Sequence, residues 1–423
     1  MSRMAWAGLL PGQADVHSTP DLMLELNQLS EPVAQLAGAL AGQQHRLRDL
    51  IQQAQARFAA HARVSEDLKE KRARAADADK SWRGAEPLGP RLDAVRSLPA
   101  APAAATLIAS DGSQIYPDPH AVALYYLLNV GSIVLRQGSG EAPSTGTSSR
   151  LFFNDRDLYD ERERLIDTDK VNAERDLWEL ERLAELAAAE RAALGGDLSR
   201  PLVALDDGPL LLWMPQRLSD VQQVRRVEQF ARPLDELRRM QAIPLGYIDR
   251  PRSANVLRLL QVADLPLEQI SQQSVRRNQY RGLSDRLLFD ALLQPGQRST
   301  LFAVTSDIND SYEQQGHRIA FCYLNVARPE AVGARAARVV RVELPLWAAA
   351  DEDRLDAALA AVWHDAWLRG YPYVLTRAHE LAVVSHHERA TLEQMLQIEL
   401  MRAGLTGEIS AKQQNKNDVS GRR

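Results

Sequence analysis

Two apolar runs in this sequence end in acids followed at once by glycine: Leu107-Ile108-Ala109-Ser110-Asp111-Gly112 and Leu202-Val203-Ala204-Leu205-Asp206-Asp207-Gly208. A short apolar run bounded by a turn signal reads as a buried strand, and Asp-Gly reads as the turn that ends it. A carboxylate held at such a strand end is rigid and partly open to solvent. That suits a hard divalent cation, which takes oxygen ligands. A single Asp-Gly signals no more than a turn; two copies on strands of one sheet suggest a shared metal site. His379, in Tyr371-Pro372-Tyr373-Val374-Leu375-Thr376-Arg377-Ala378-His379-Glu380, sits near the expected start of a helix after a short apolar run. Beside paired acids it can serve as a late ligand or carry a proton near neutral pH. The constellation is Asp111, Asp207, a helical glutamate and His379, and carboxylate-rich sites of this kind suit Mg²⁺ or Mn²⁺.

The surrounding pattern supplies elements to position them. Residues 1–20 read as a flexible leader. Residues 21–82 read as a helical region with an apolar stripe through Leu26, Leu29, Val33, Leu36, Leu40, Leu47, Leu50, Ile51, Ala54 and Phe58. Ser30 and Pro32 mark a helix start, since proline is tolerated in a first turn. A stripe this long should be buried against the main domain or a second subunit. Residues 83–104, rich in Pro, Ala and Gly, read as a linker, residues 105–403 as the main domain, and residues 404–423 as a disordered tail. Within the main domain, Leu107–Ser110, Ala121–Val130 and Ser132–Arg136 follow as strands of an antiparallel meander. Gly138–Ser149 reads as a loop, Asn172–Ala192 as a helix ended by Gly195-Gly196, and the run to Asp207 as a fourth strand. Further helices are expected at Gln216–Ile243, within Arg250–Val262, and at Ser284–Leu293, Asp351–Leu368 and Thr376–Ala403. Further strands are expected at Ile243–Ile248, Leu301–Thr305, Ile319–Val326 and Ala337–Leu344. A meander, a helix and a fourth strand open a ribonuclease H-like α/β fold, in which the first and fourth strands can lie side by side and bring Asp111 to Asp207.

Composition narrows the function. The net charge of −5 gives no global basic field, so a nucleic-acid groove must come from local arginines. Arg225-Arg226, Arg238-Arg239, Arg250 to Arg258 and Arg276 to Arg286 are candidates, though each also reads as a solvated face. Cys322 is the only cysteine, so no intrachain disulfide and no cysteine-rich zinc site can form. A reducing cytoplasm fits, and neither a secretory signal nor a membrane-spanning run is evident. There is no Gly-Lys-Ser/Thr for a P-loop and no Gly-x-Ser-x-Gly elbow. His379-Glu380 opens like a zincin helix, but position 383 is valine.

The ordered segments Ile108–Ser113, Leu205–Leu210, Gly246–Ser253, Leu283–Leu293, Pro295–Ser299, His317–Val326, Val342–Trp347 and Ala378-His379 together resemble the NurA nuclease family, over about residues 105 to 400. The resemblance implies a ribonuclease H-like fold and a nuclease dependent on Mn²⁺ (or Mg²⁺, two ions). It also implies action on DNA ends in break repair, with a HerA-type hexameric ATPase or translocase as partner and a homodimeric state. By position, Asp111 and Asp207 match the motif acids, Asp207 rather than Asp206 because it directly precedes the glycine. His379 matches the late histidine. The helical acid is Glu179 by best fit, with Glu174 and Glu181 as alternatives. Asp249 stands where many members carry a basic residue, and Arg250 follows it. Arg250 and Arg252 are then phosphate contacts. Tyr247 is either a stacking platform for a terminal base or a core aromatic. The competing reading is a catalytically weak DNA-binding or scaffold subunit of a repair or defence complex.

Overall fold

A computed structural model describes residues 26–212, 220–330, 338–367 and 369–405. The leader at 1–20, residues 21–25 of the expected helical region, residues 216–219 of the helix expected over Gln216–Ile243 and residues 406–423 of the expected tail lie outside the described residues. The chain divides into two compact units, Met1–Gln52 and Gln53–Arg423.

The first helix, α1 (Leu26–Ala60), crosses that boundary and contains Pro32 in its interior, not in its first turn. In the first unit Leu29, Val33, Leu36 and Leu40 are exposed, while in the second Ala54 and Phe58 are buried. Burial within the chain is seen at the C-terminal end of the stripe, where the Phe58 ring meets Phe289 edge-on at 5.7 Å. Helix α2 (Glu66–Ala78) is capped by Ser65 Oγ, which accepts from Leu68 N at 3.2 Å. Leu68, Ala75 and Trp82 are buried. Removing residues 1–52 should thus leave the melting temperature of the remainder within a few degrees of the full chain. Removing residues 1–82 should lower it by more than about 5 °C, because several core side chains go with it. Thermal melts followed by circular dichroism check both.

The segment expected as a linker contributes strands β1 (Ala85–Pro87) and β2 (Val95–Ser97). Its prolines and glycines bound short extended pieces that reach ladder partners, so it belongs to the sheet. The meander is β3 (Ala105–Ile115), β4 (Tyr126–Gln137) and β5 (Ser144–Phe152). It differs from expectation in two ways. β4 runs straight through Gly131, joining what read as two strands, and β5 occupies much of the expected Gly/Ser/Thr loop. Exposed Ser and Thr hide an edge strand because neither face supplies an apolar alternation. The chain continues through α3 (Asp155–Leu158), α4 (Thr168–Ala193), β6 (Leu202–Asp206), α5 (Asp220–Arg239) and β7 (Ile243–Ile248). It then forms α6 (Asn255–Ala263), α7 (Gln272–Arg276), α8 (Asp285–Asp290), β8 (Gln297–Ser299), β9 (Phe302–Val304) and α9 (Asp307–Gln314). The last elements are β10 (Ile319–Asn325), β11 (Val339–Pro345), α10 (Glu352–Trp367), α11 (Tyr373–Ala382) and α12 (His386–Arg402). The single helix expected over 376–403 is two helices. Ser385 and Glu388 form a capping box that starts α12 afresh.

All the strands among the described residues share one mixed sheet ordered β1-β9-β10-β11-β7-β6-β3-β4-β5, with β8 paired to β10 and β2 paired to β8. β3, β6 and β7 run parallel, and the other ladders are antiparallel. The first and fourth strands of the main domain, β3 and β6, are neighbours, as the ribonuclease H-like reading requires. Helices cover both faces. Leu107 and Ala109 of β3 and Val203 and Leu205 of β6 pack with Leu355 and Leu359 of α10 and Val374 and Leu375 of α11. The alternate residues Ile108, Leu202 and Ala204 pack with Leu180 and Leu183 of α4 and Phe230 and Leu234 of α5. This period-two division decides which acids meet.

Candidate active site

The β3–β6 ladder ends at Ser110↔Asp206, but β3 continues to Ile115 along β4. Asp111-Gly112 is therefore no turn; it lies inside an 11-residue strand. Beyond Asp206 the edge of β3 has no partner in β6, which leaves a notch in the sheet there. Alternation carries Asp111 to the α11 face along with Leu107 and Ala109. Ser110 and Gly112 go to the α4 face, where Ser110 Oγ donates to the Glu179 carbonyl at 2.8 Å.

Both glycines opposite the helices are there for close approach. A Cβ on Gly112 would lie 2.4 Å from Glu179 Oε1, so the bare backbone lets the Glu179 carboxylate settle directly on β3. Gly131, paired with Asp111 across β3–β4, would place a Cβ 2.5 Å from both the Ala378 carbonyl oxygen and Ala382 N. α11 thus rests on Gly131. It is fixed there by Ser113 Oγ and Asn129 Nδ2, which donate to the Ala382 carbonyl at 2.5 and 2.7 Å, and by Asp365, which accepts from Val374 N at 3.2 Å.

That docking brings His379 to Asp111. His379 lies in the last turn of α11, not near a helix start, because Pro372 opens the helix earlier than expected. Its Nδ1 is 2.6 Å from Asp111 Oδ2, with the imidazole 64% exposed and the aspartate 16% exposed. The Tyr371 hydroxyl donates to Asp207 Oδ1 at 2.5 Å. The loop after β6 is held by Glu343, which accepts from Leu211 N at 3.0 Å while pairing with buried Arg341 at 2.8 Å.

The acids repel each other in a site that water reaches poorly. Burial raises the Glu179 carboxyl well above its usual range; Asp206 adds to this, and Arg175 opposes it. Burial, then Asp176, Asp207 and Asp111, push Asp206 up to about 8. Burial also raises Asp207, against the hydrogen bond from Tyr371. Each is driven toward its neutral form, a penalty that a bound cation removes. Glu179 Oε1 is buried and makes no hydrogen bond. As they stand, no three His, Cys, Asp or Glu side chains among the described residues are gathered as a ready metal cage. Asp111 is engaged by His379, Asp207 by Tyr371, and Glu179 faces Arg175. The oxygen-rich set with one imidazole and an orphaned buried carboxylate oxygen fits Mg²⁺ or Mn²⁺ in its chemistry, with side-chain rotation needed to close around an ion.

Of the helical acids, Glu179 alone lies against Gly112. Glu174 bonds Lys170, and Glu181 lies among Arg150, Glu185 and Glu174. Arg250, at φ +50°, and Arg252 are exposed. Tyr247 is not at the surface. It is 1% exposed and packs edge-on to Tyr371 at 5.4 Å, so the core-aromatic reading is the correct one and no base can stack on it as placed. Sequence reasoning passed over Asp206, which the β6 alternation turns toward Glu179. It also passed over Arg175, Asp176 and Tyr371. Tyr371 stands eight residues before His379, but nothing in the sequence pattern pairs it with Asp207.

The NurA domain family model matches residues 105–384. No curated protein matches the sequence. Among solved structures, the NurA nuclease from Sulfolobus solfataricus is similar at 12% identity and a TM-score of 0.47, covering 88% of this chain and 98% of that chain.

Proposed function

Because the chain belongs to the NurA domain family, we propose that it is a divalent-metal-dependent DNA nuclease that processes ends in repair beside a HerA-type translocase, as a homodimer. The observation that supports the chemistry most is the contact of Asp111 with His379 at the end of β6, with Asp207 close by on that face of the sheet and Glu179 close by on the other. Asp111, Asp207, Glu179 and His379 would hold Mn²⁺ or Mg²⁺, with Asp206 adjoining. When bound, such ions neutralise phosphate charge and activate water for phosphodiester hydrolysis. The chain's own residues do the rest. Tyr371 holds Asp207 in one orientation through its hydroxyl. Asp111 orients the His379 ring through Nδ1 and leaves the imidazole exposed, where it can act as ligand or proton carrier. Arg250 and Arg252 supply guanidinium forks for phosphates. No helix among the described residues is long and apolar enough to cross a membrane.

Digestion of labelled linear and single-stranded DNA with Mn²⁺, Mg²⁺ or EDTA tests this reading. Metal-dependent cleavage is the expected result. No cleavage by the wild type, with or without a translocase, would favour the scaffold reading. His379→Ala should slow cleavage by roughly ten- to hundredfold. That is less than the loss of an acid, because water can replace a neutral ligand.

A further inference from the structure

We infer that Arg175 is a positioning residue: it balances the charge of Glu179 when no ion is bound and surrenders that carboxylate to a divalent cation. This rests on the metal-dependent reading above. Arg175 and Glu179 are one turn apart on α4, and Arg175 Nε lies 3.1 Å from Glu179 Oε1. The contact is one of charge only, since Glu179 Oε1 makes no hydrogen bond. Arg175 directs its hydrogen bonds elsewhere. Nε and Nη2 donate to Asp176 Oδ1 at 3.2 and 2.5 Å, and Nη1 donates to Gln114 Oε1 at 3.1 Å. The stem of Arg175 lies along Gly112, where a Cβ would come within 2.7 Å of its Cγ.

The arrangement separates anchor from cargo. Asp176 and Gln114 fix the guanidinium by directed bonds, while Glu179 is left with an unaligned electrostatic contact and one oxygen unsatisfied. A doubly charged ion with open coordination positions offers Glu179 more than this contact does. Arginine keeps its charge at every accessible pH, so its competition with the ion is constant. The acids around it (Asp111, Asp176, Glu179, Asp206) would otherwise face one another unscreened in the metal-free protein. A strut that merely braced α4 would make no such trade. Its loss would disorder Glu179 and weaken ion binding.

The test uses the full-length chain as wild type, Arg175→Gln and Arg175→Lys. Mn²⁺ binding is followed by the paramagnetic resonance signal of the free ion, and melting is measured in EDTA. Arg175→Gln should bind Mn²⁺ about tenfold or more tighter, since the charge that competes with the ion for Glu179 has gone. It should also melt lower than wild type without metal. Arg175→Lys, which keeps the charge but loses the fork, should bind roughly two- to threefold tighter. On a Glu179→Gln background, Arg175→Gln should have lost most of its effect, because the two act on one contact. Binding by Arg175→Gln that equals or falls below wild type overturns the inference. If that variant does not fold, the same result with Arg175→Lys does so. A wild type that takes up no Mn²⁺ overturns the metal-dependent reading and this inference together. Uptake by wild type with no gain in the variants overturns this inference alone.

Discussion

Asp111→Asn should fold like the wild type and lose Mn²⁺-dependent DNA cleavage by at least about a hundredfold. Asp111 lies mid-strand in β3, paired to Gly131, and its backbone hydrogen bonds do not depend on its charge. Asparagine keeps the shape and can still meet His379 Nδ1. It removes the negative charge that, beside Asp207, would draw a cation to the notch. The phosphate would then meet carboxylates without the compensating ion. DNA binding should survive, because exposed Arg250 and Arg252 are untouched. Gel shifts and digestion of the same labelled substrates, on identically purified proteins with matching circular dichroism, separate the two. Equal cleavage by wild type and Asp111→Asn would point to a contaminating nuclease or to a different site.

The parts of this arrangement that sequence could show are those that rest on local pattern. The apolar runs before Asp111 and Asp207 are buried strands, and the meander-helix-strand order puts β3 beside β6. Glu179 rests on the family resemblance, with Glu174 and Glu181 left open. A helix turning about 100° per residue sets 179 on a different face from 174 and 181 but does not say which face meets the sheet. What was hidden depends on contacts between distant segments. Asp-Gly at 111–112 has the form of a turn, yet the glycine serves as a bed for Glu179. Gly131 looked like a break between strands because its partner, α11, lies some 250 positions later in the chain. Asp206 seemed the lesser of two adjacent acids, since the glycine rule favours Asp207. Only the β6 register shows that the pair is split between faces, one toward α4 and one toward Tyr371. Arg175 could not be singled out among so many helical arginines without the backbone of Gly112 beneath it.

Gly131→Ala should cost nearly as much activity as losing His379, although no reacting group is changed. The added methyl would meet the backbone of α11 from two sides, at 2.5 Å from the Ala378 carbonyl oxygen and from Ala382 N. Backbone cannot step aside as a flexible side chain can, so α11 must lift from the sheet. Overpacking of this kind costs about 1–3 kcal/mol in stability. The larger effect falls on the site. His379 sits on α11 one residue beyond Ala378, and its 2.6 Å approach to Asp111 exists only while the helix rests on Gly131. A displacement of about 1 Å can cost on the order of a hundredfold in rate. Gly146→Ala, next along β5, is the control. Its Cβ would find Ser132 Oγ at 3.6 Å and Arg182 Nη2 at 3.7 Å, ordinary contacts that need no movement. The two variants add the same methyl to neighbouring strands. Cleavage rates and melting temperatures should therefore separate them, with Gly146→Ala near wild type in both and Gly131→Ala reduced in both. A Gly131→Ala protein with wild-type cleavage would mean that α11 does not need its present seat for the site to work, and the role given to the His379–Asp111 contact would fall with it.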